Sequence, residues 1–387
     1  MSIFIYLEYF SLHVKILDTF FALLGFYGLL TCNQKTFTWV GFFIGIFWFY
    51  WIGFGFQYYD LTYLIPLVVI GFGLIYGFFF WLISILGISL EIRTLLIFLL
   101  IFFEPFGFNW FKPELIFINS YFPTNIYFFG LFLMSMILLI RLKKYLKILP
   151  ILLLTLLPFF NTPKTFEKPA LAIEIANINL AQDKKWKKKY KKEIIKDNFH
   201  IINEAIKAKK ELVILPESAF PMYLNLEKLT LEKLKKLSSK ITILTGGLSV
   251  KQNKVFNSSY LFKNGDYQIA NKVILVPFGE KIPLPKWAVD LINKLFFNGA
   301  DDYESAKEPF DFEIDGYTFR NAICYEATTD ELYKNNPKYM IAISNNAWFK
   351  PSIEPTLQKL LLKLLAKKYN TVIYHSANSG ISGIITP

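Results

Sequence analysis

Glu217, Lys272 and Cys324 stand, in that order along the chain, at positions where an α/β sheet can do chemistry. Glu217 follows the apolar run Leu212-Val-Ile-Leu-Pro216, so its carboxylate sits at the carboxyl end of a strand, the edge where open α/β sheets collect reactive groups. Lys272 lies within the β-branched stretch Asn271-Lys272-Val-Ile-Leu-Val-Pro277, where an ammonium is costly to bury unless it is paired. Cys324 ends an alternating run from Tyr317 that reads as a buried strand, and a helical pattern from Glu326 to Lys334 follows. A thiol at such a turn meets a helix N-terminus, which favours thiolate and a developing oxyanion. Together the three make a device for acyl transfer: the glutamate takes the thiol proton, the thiolate attacks a carbonyl, and the ammonium holds the oxyanion. That chemistry needs no metal and no cofactor. Taken singly, two of the three have a plainer reading, Cys324 as strand packing and Glu217 as a turn or capping acid.

The elements that carry these groups begin near Ala170. Strands are predicted at 171–180, 211–216, 241–248, 256–263, 267–275, 310–324, 339–345 and 371–386, and helices at 186–209, 228–238, 286–296, 326–335 and 352–369. Asn264-Gly265 is a hairpin signal between two of the strands. This alternation predicts a layered α/β domain with a mixed sheet. Ser344-Asn-Asn-Ala-Trp348-Phe, a strand followed by a polar and aromatic turn, is a further unusual stretch.

The first part of the chain is of another kind. Of the 42 Lys/Arg and 30 Asp/Glu, only eight and six fall within residues 1–163, so nearly all of the net charge of +12 belongs to the rest. Apolar runs at 16–31, 38–56, 62–88, 92–110, 126–140 and 145–160 read as membrane spans, each crossing needing about 20 residues. Met1 to Leu12 is a candidate shortened first span, so the count is six or seven. The cluster Arg141-Leu-Lys143-Lys144-Tyr-Leu-Lys147 marks the cytoplasmic side, with Lys35 and Arg93 on the same side by parity. Everything after about Lys164 then lies outside the cytoplasm. Glu104-Pro-Phe-Gly107-Phe-Asn-Trp110 breaks a helix near the outer interface, as an aromatic anchor or a lipid-handling site.

Composition excludes several classes. With two cysteines, Cys32 and Cys324, there is no disulfide framework or zinc cluster, and His13, His200 and His375 lack metal-ligand spacing. No Gly-x-Ser-x-Gly elbow occurs. The lysines alternate with acids on helix faces such as Trp186 to Lys210, which argues for solvated surface and against nucleic acid as a partner. The spans lack the paired charges of a transporter beyond Asp18, Glu91 and Glu104.

Pro216-Glu217, Asn271-Lys272 with Leu275-Val-Pro-Phe-Gly-Glu280, and Cys324-Tyr325-Glu326 resemble the Glu-Lys-Cys triad of the nitrilase superfamily. More narrowly, those stretches, Ser344 to Phe349 and a multi-span first half resemble the bacterial apolipoprotein N-acyltransferases; Gly107-Phe-Asn-Trp110 is similar to a turn of that family. The resemblance implies a helical membrane domain over 1–163 and a nitrilase-like α-β-β-α catalytic domain over 164–387. It implies that Cys324 takes a fatty acyl chain from a phospholipid, typically phosphatidylethanolamine, as a thioester. The acyl group then passes to the N-terminal amine of a diacylglyceryl-cysteine apolipoprotein. Glu217 would be the base and Lys272 the oxyanion partner. Glu280, Tyr325 and Glu326 would support the thiol and the acyl intermediate. Trp186 and Trp348 match positions near the substrate entrance, or serve as aromatics of the domain shell. The implied location is the bacterial inner membrane with the catalytic domain on the periplasmic side, and a monomer is expected. A loop around Leu295-Phe-Phe297-Asn-Gly299 is expected to dip into the interface as a lid.

Two departures accompany the likeness. Pro355-Thr-Leu-Gln358 and Lys363-Leu-Leu-Ala-Lys367 stand where the family's helix usually carries a histidine and an Arg/Glu pattern. The family's further strand pair and closing membrane helix are expected to be lacking after Thr386-Pro387. Two rival functions remain at this stage: a membrane-tethered amidase whose thioester is resolved by water, and an inactive lipoprotein-binding scaffold.

Overall fold

The computed structural model describes residues 1–162, 164–286, 289 and 303–387. The chain forms two compact units. One comprises Met1–Pro105, Asn109–Lys164 and Pro351–Leu364, the other Phe106–Phe108, Thr165–Lys350 and Leu365–Pro387. The expected helix 286–296 and the aromatic lid fall almost wholly outside the described residues.

The first unit is helical. Its α-helices are α1 (Ile3–Tyr9), α2 (Lys15–Thr31), α3 (Gln34–Phe49), α4 (Ile65–Leu86), α5 (Leu90–Leu99), α6 (Ile126–Arg141) and α7 (Ile148–Leu156). Among the described residues, two helical stretches, Gln34–Tyr59 and Thr62–Leu86, have the length and apolarity to cross a membrane, and Ile126–Arg141 is apolar but shorter. Leu67, Leu74, Ile88 and Phe102 are left exposed, a surface suited to acyl chains rather than water. Gly41 lets α3 and α4 approach closely, since a Cβ there would lie 2.4 Å from Phe80 Cβ and 2.7 Å from Tyr76 O.

Two expectations change here. α1 has seven residues, far short of the roughly 20 needed to span. The run 92–110 is α-helical only to Leu99, tightens to a 3-10 turn over Leu100–Phe102, and is broken beyond it at Pro105 and the left-handed Phe106 (φ 54°) and Gly107 (φ 79°). Glu104 there is paired, 2.8 Å from Lys112 Nζ. At one end of the unit Arg93 donates to Cys32 O at 3.2 Å and Arg141 pairs with Glu91 at 3.1 Å, gathering three loops.

The second unit contains two sheets. Its strands are β1 (Ile173–Ile175), β2 (Leu212–Ile214), β3 (Phe220–Tyr223), β4 (Thr242–Lys251), β5 (Lys254–Lys263), β6 (Asp266–Asn271), β7 (Asp311–Ile314), β8 (Tyr317–Ile323), β9 (Tyr339–Asn345), β10 (Val372–Asn378) and β11 (Gly383–Ile385). The first sheet runs β1-β2-β4-β5-β6 with β3 also on β4; the second runs β11-β10-β9-β8-β7. β1, β2 and β4 are parallel, as are β8, β9 and β10, while the hairpins are antiparallel. Leu212 and Ile214 pack with Ile323, Ile341, Ile343 and Tyr374 of the facing sheet, whereas Val213 and Leu215 pack on Phe199, Ile202 and Leu234. A strand buried on both faces explains why Leu212 to Leu215 is an uninterrupted apolar run.

The helices of this unit are α8 (Gln182–Lys185), α9 (Lys191–Lys207) and α10 (Lys228–Leu237); α11 (Glu354–Tyr369) is shared between the units. α9 and α10 cover the outer face of the first sheet. Outside the second, Arg320 of β8 donates to Leu332 O at 2.9 Å, and Tyr333 stacks on Tyr369 of α11. The expected α-β-β-α layering is present. In the first unit, Lys359 of α11 pairs with Glu8 at 2.9 Å and Lys363 donates to Asn119 Oδ1 at 2.8 Å, so the departure residue Lys363 has a local partner.

Several element boundaries differ from those expected. The run 310–324 is a hairpin, turned at Asp315 and Gly316 with positive φ. The run 371–386 is likewise two antiparallel strands. The strand expected at 171–180 covers only Ile173–Ile175, and 267–275 stops at Asn271. The helix expected at 186–209 starts at Lys191. The one expected at 326–335 is two 3-10 turns, Cys324–Thr328 and Asp330–Tyr333. β3 falls where no strand is expected, and its pairing with β4 shifts register between Phe220 and Tyr223, around Pro221, which cannot donate to the ladder. Asn264-Gly265 forms its hairpin turn, with both residues at positive φ.

Candidate active site

Glu217 leaves the end of β2 in a tight turn. Ala219 N donates to Pro216 O at 3.2 Å, and Ser218 is left-handed at φ 48°. The turn crosses β4 so closely that only glycine fits below it: a Cβ on Gly246 would lie 2.4 Å from Ser218 N and 2.7 Å from Glu217 Cα. Glu217 itself is buried, with Oε1 accepting from Asn257 Nδ2 at 2.7 Å.

Lys272 follows β6, its amide donating to Asn257 O at 2.8 Å. Its side chain is 1% exposed and its Nζ lies 2.6 Å from Glu280 Oε2. Burial works against its charge, but the charges of Glu280, Cys324, Glu217 and Glu326 more than offset that and hold the ammonium above the ordinary lysine range. Glu280 is folded back onto it by the loop Leu275 to Glu280: Glu280 N donates to Val276 O, and Val276 N returns a bond to Glu280 Oε2, both at 2.9 Å. The loop turns at Phe278, left-handed at φ 62°. Asn257 Nδ2 also donates to Glu280 Oε1 at 2.9 Å. Glu217, Asn257, Glu280 and Lys272 thus form one continuous chain of contacts.

Cys324 sits where β8 ends, left-handed at φ 56°. The expected helix N-terminus is absent from this position; the thiol is presented by a strained elbow opening a 3-10 turn. Glu326, fully buried, staples that elbow to the lysine's strand end. Its Oε1 accepts from Ile323 N at 2.8 Å, and its Oε2 accepts from Val273 N at 2.7 Å and Ile274 N at 3.0 Å. Burial pushes its carboxyl up to about 7, against the pull of Lys272 and the three amides. Tyr325 points its hydroxyl to Gly107 O at 2.7 Å, and its ring stacks on Phe108, with centroids 5.7 Å apart. The Gly107-Phe turn singled out in the sequence therefore packs beside the cysteine.

The two tryptophans are held on linked elements. Trp186 caps α8 and is 44% exposed, while Trp348 is half-buried in the turn after β9. Gln182 of α8 accepts from Asn345 Nδ2 at 2.9 Å, and Asn345 Oδ1 accepts from Asn378 at 2.8 Å. His375 lies deep in this region, its ring nitrogens facing Ser344 Oγ and Ile381 O, and burial lowers it to about 4, so it is neutral at pH 7.

Sequence reasoning passed over two residues. Lys185 is buried, donates to Glu217 O at 2.9 Å, and feels the charges of Glu217 and Cys324. Its only sequence signal was a position beside Trp186 in a lysine-rich run. Asn257, in the polar strand start Asn257-Ser-Ser, had none beyond an amide in an alternating strand.

Two facing sheets bearing a glutamate, a lysine and a cysteine at strand ends, joined to a helical membrane unit, define the class: a membrane-anchored protein with a carbon-nitrogen hydrolase domain. Residues 175–381 match the carbon-nitrogen hydrolase profile, and residues 1–160 match that of the apolipoprotein N-acyltransferase integral membrane domain. The chain is 43% identical to the apolipoprotein N-acyltransferase of Wolinella succinogenes over 100% of its own length and 93% of that protein's. It is 38% identical to the Campylobacter jejuni protein of that name, covering 99% and 86%, and 41% identical to the Helicobacter pylori one, covering 90% and 82%. The chain belongs to the apolipoprotein N-acyltransferase family.

Proposed function

We propose that this membrane protein transfers a fatty acyl chain from a phospholipid to the N-terminal amine of diacylglyceryl-cysteine in apolipoproteins, through a thioester on Cys324. The observation that carries the reading is the chain Glu217–Asn257–Glu280–Lys272, whose lysine feels the charge of Cys324 at its left-handed elbow. In the first half-reaction Glu217 takes the thiol proton and the sulfur attacks the ester carbonyl. The Lys272 ammonium stabilises the oxyanion. Collapse breaks the ester C–O bond; Glu217 returns the proton to the departing alkoxide, giving lysophospholipid and acyl-Cys324. In the second half-reaction the α-amine attacks the thioester, Glu217 takes the amine proton, and the C–S bond breaks to release the N-acylated lipoprotein and the thiolate.

Glu280 keeps Lys272 charged and aimed, Glu326 holds the elbow, and Tyr325 braces it against the Gly107 turn. Trp186 and Trp348 flank the approach. Phosphatidylethanolamine is the donor we favour, and the working form is a monomer. The basic loop at Arg141 to Lys147 sets the inner-membrane orientation, with residues 164–387 acting on the periplasmic side.

The test is mass spectrometry of the purified protein after exposure to phosphatidylethanolamine vesicles. A hydroxylamine-labile fatty acyl adduct on Cys324, absent in Cys324→Ala and discharged by a diacylated lipopeptide with a triacylated product, is the expected result. An adduct discharged by water alone supports an amidase-type hydrolase instead, and no adduct with any phospholipid overturns the reading.

A further inference from the structure

The site holds a second buried cation that the reaction scheme leaves idle. Lys185 ends the four-residue α8 with its side chain 1% exposed, where an ammonium is stable only if charge and hydrogen bonds compensate its lost hydration. Its Nζ donates to Glu217 O at 2.9 Å, reaching the backbone of the turn whose Ser218 is held left-handed. It lines a cavity of about 60 Å³ with Pro216 and Ala219, the residues on either side of Glu217 and Ser218.

We propose that Lys185 is a positioning residue that acts through Glu217, tethering the turn that aims the carboxylate and placing a buried positive charge beside that carboxylate and the Cys324 sulfur. Lys272 makes its 2.6 Å ion pair with Glu280, and Glu217 and Cys324 act on it through their charge alone. Lys185 makes its hydrogen bond to the main chain of Glu217, and its field falls on Glu217 and Cys324 together. The charged groups facing Lys185 are Glu217 from the β2 turn, Cys324 from the end of β8, and Asp197 of α9 across the cavity; Asp183 and Lys184 of its own helix point to solvent. Burial lowers Lys185 to about 8, while Glu217 and Cys324 pull it back up. It therefore remains mostly charged at pH 7, and its charge answers to the state of the two groups it serves.

The sign follows from that. A cation beside a thiol favours the thiolate, so removing it raises the pH needed for Cys324 to react with an alkylating agent. The inference rests on Glu217 being the base of the proposed reaction. Its test is therefore run on thiol chemistry that needs no lipid. The full-length protein and its Lys185→Met, Lys185→Gln and Lys185→Arg forms are alkylated with iodoacetamide across pH 5 to 9, and the Cys324 peptide is followed by mass spectrometry. Transfer from phosphatidylethanolamine vesicles is measured in parallel, with thermal unfolding as the folding control.

For Lys185→Met and Lys185→Gln the acid limb of Cys324 alkylation should move up by about one unit, a loss of about tenfold in rate on the acid side. Lys185→Arg should keep the wild-type limb. If Lys185→Met does not fold, Lys185→Gln is judged by the same shift. A limb that superimposes on wild type in the neutral variants overturns the proposal, whether the rate falls uniformly or does not change. A shifted limb in a protein that never acylates Cys324 from lipid would sink the transferase reading and leave the role of Lys185 standing.

Discussion

One amide nitrogen of Asn257 serves Glu217 and Glu280 together, at 2.7 Å and 2.9 Å. Two carboxylates sharing a buried donor repel each other less than two bare ones, and the shared amide holds both in place. Removing the donor leaves two buried acceptors short of a partner, a loss of about 1.5–3 kcal/mol for a hydrogen bond to a charged group. Asn257→Leu should therefore lower acyl transfer at pH 7 by roughly ten- to a hundredfold, since each 1.4 kcal/mol is a factor of ten. Thioester formation on Cys324 and its discharge by lipopeptide, timed separately, should both slow.

The Lys272–Glu280 pair is buried, so breaking it from one side is worse than losing it. Lys272→Met strands the Glu280 carboxylate, and such half-removals cost about 3–5 kcal/mol. Thermal unfolding should show a large fall for Lys272→Met. A substantially smaller one is expected for the double variant Lys272→Met, Glu280→Leu, while neither forms the Cys324 thioester. Equal destabilisation of single and double variants would mean that the pair is not coupled.

Glu326 gives a pH dependence of defined sign. Its folded-state value of about 7 lies above the usual carboxylate range, so between roughly pH 4.5 and 7 the native state binds more protons than the unfolded one. Its contribution to stability is then greatest at the acid end of that window and shrinks as pH rises through it. The melting temperature of wild type minus that of Glu326→Gln should decrease from pH 5 to pH 8. A difference that grows with pH would show that the three amide donors and Lys272 keep Glu326 ionised.

Gly246 has no room for a methyl group. Alanine there would drive a Cβ to 2.4 Å from Ser218 N, and the contact is with backbone, so the Pro216-Glu217-Ser218 turn must move. Overpacking of this sort costs about 1–3 kcal/mol, and a displacement of about 1 Å of a reacting group costs about a hundredfold in rate. Gly246→Ala should fold, with modestly reduced thermal stability, yet show a fall in kcat much larger than its stability loss accounts for.

The sequence alone determined the division into an apolar helical part and a charged α/β part, the Glu217, Lys272, Cys324 order, and the Asn264-Gly265 turn. These are local properties: hydropathy over a window, residue type at a strand end, and a dipeptide that accepts positive φ. What only the tertiary structure decided is non-local. Cys324 is held by an elbow rather than by a helix, because Glu326 turns its carboxylate back to amides at Ile323, Val273 and Ile274. Asn257 and Lys185 carry no periodic signal, and they matter because strand pairing and a four-residue helix bring them to Glu217 from 40 and 32 positions away. Phe106–Phe108, written in the middle of the apolar part, belongs to the compact unit of Cys324, where Phe108 stacks on Tyr325. Periodicity reports which face of an element is buried, and it carries no information about which distant hydrogen-bonding partner waits there.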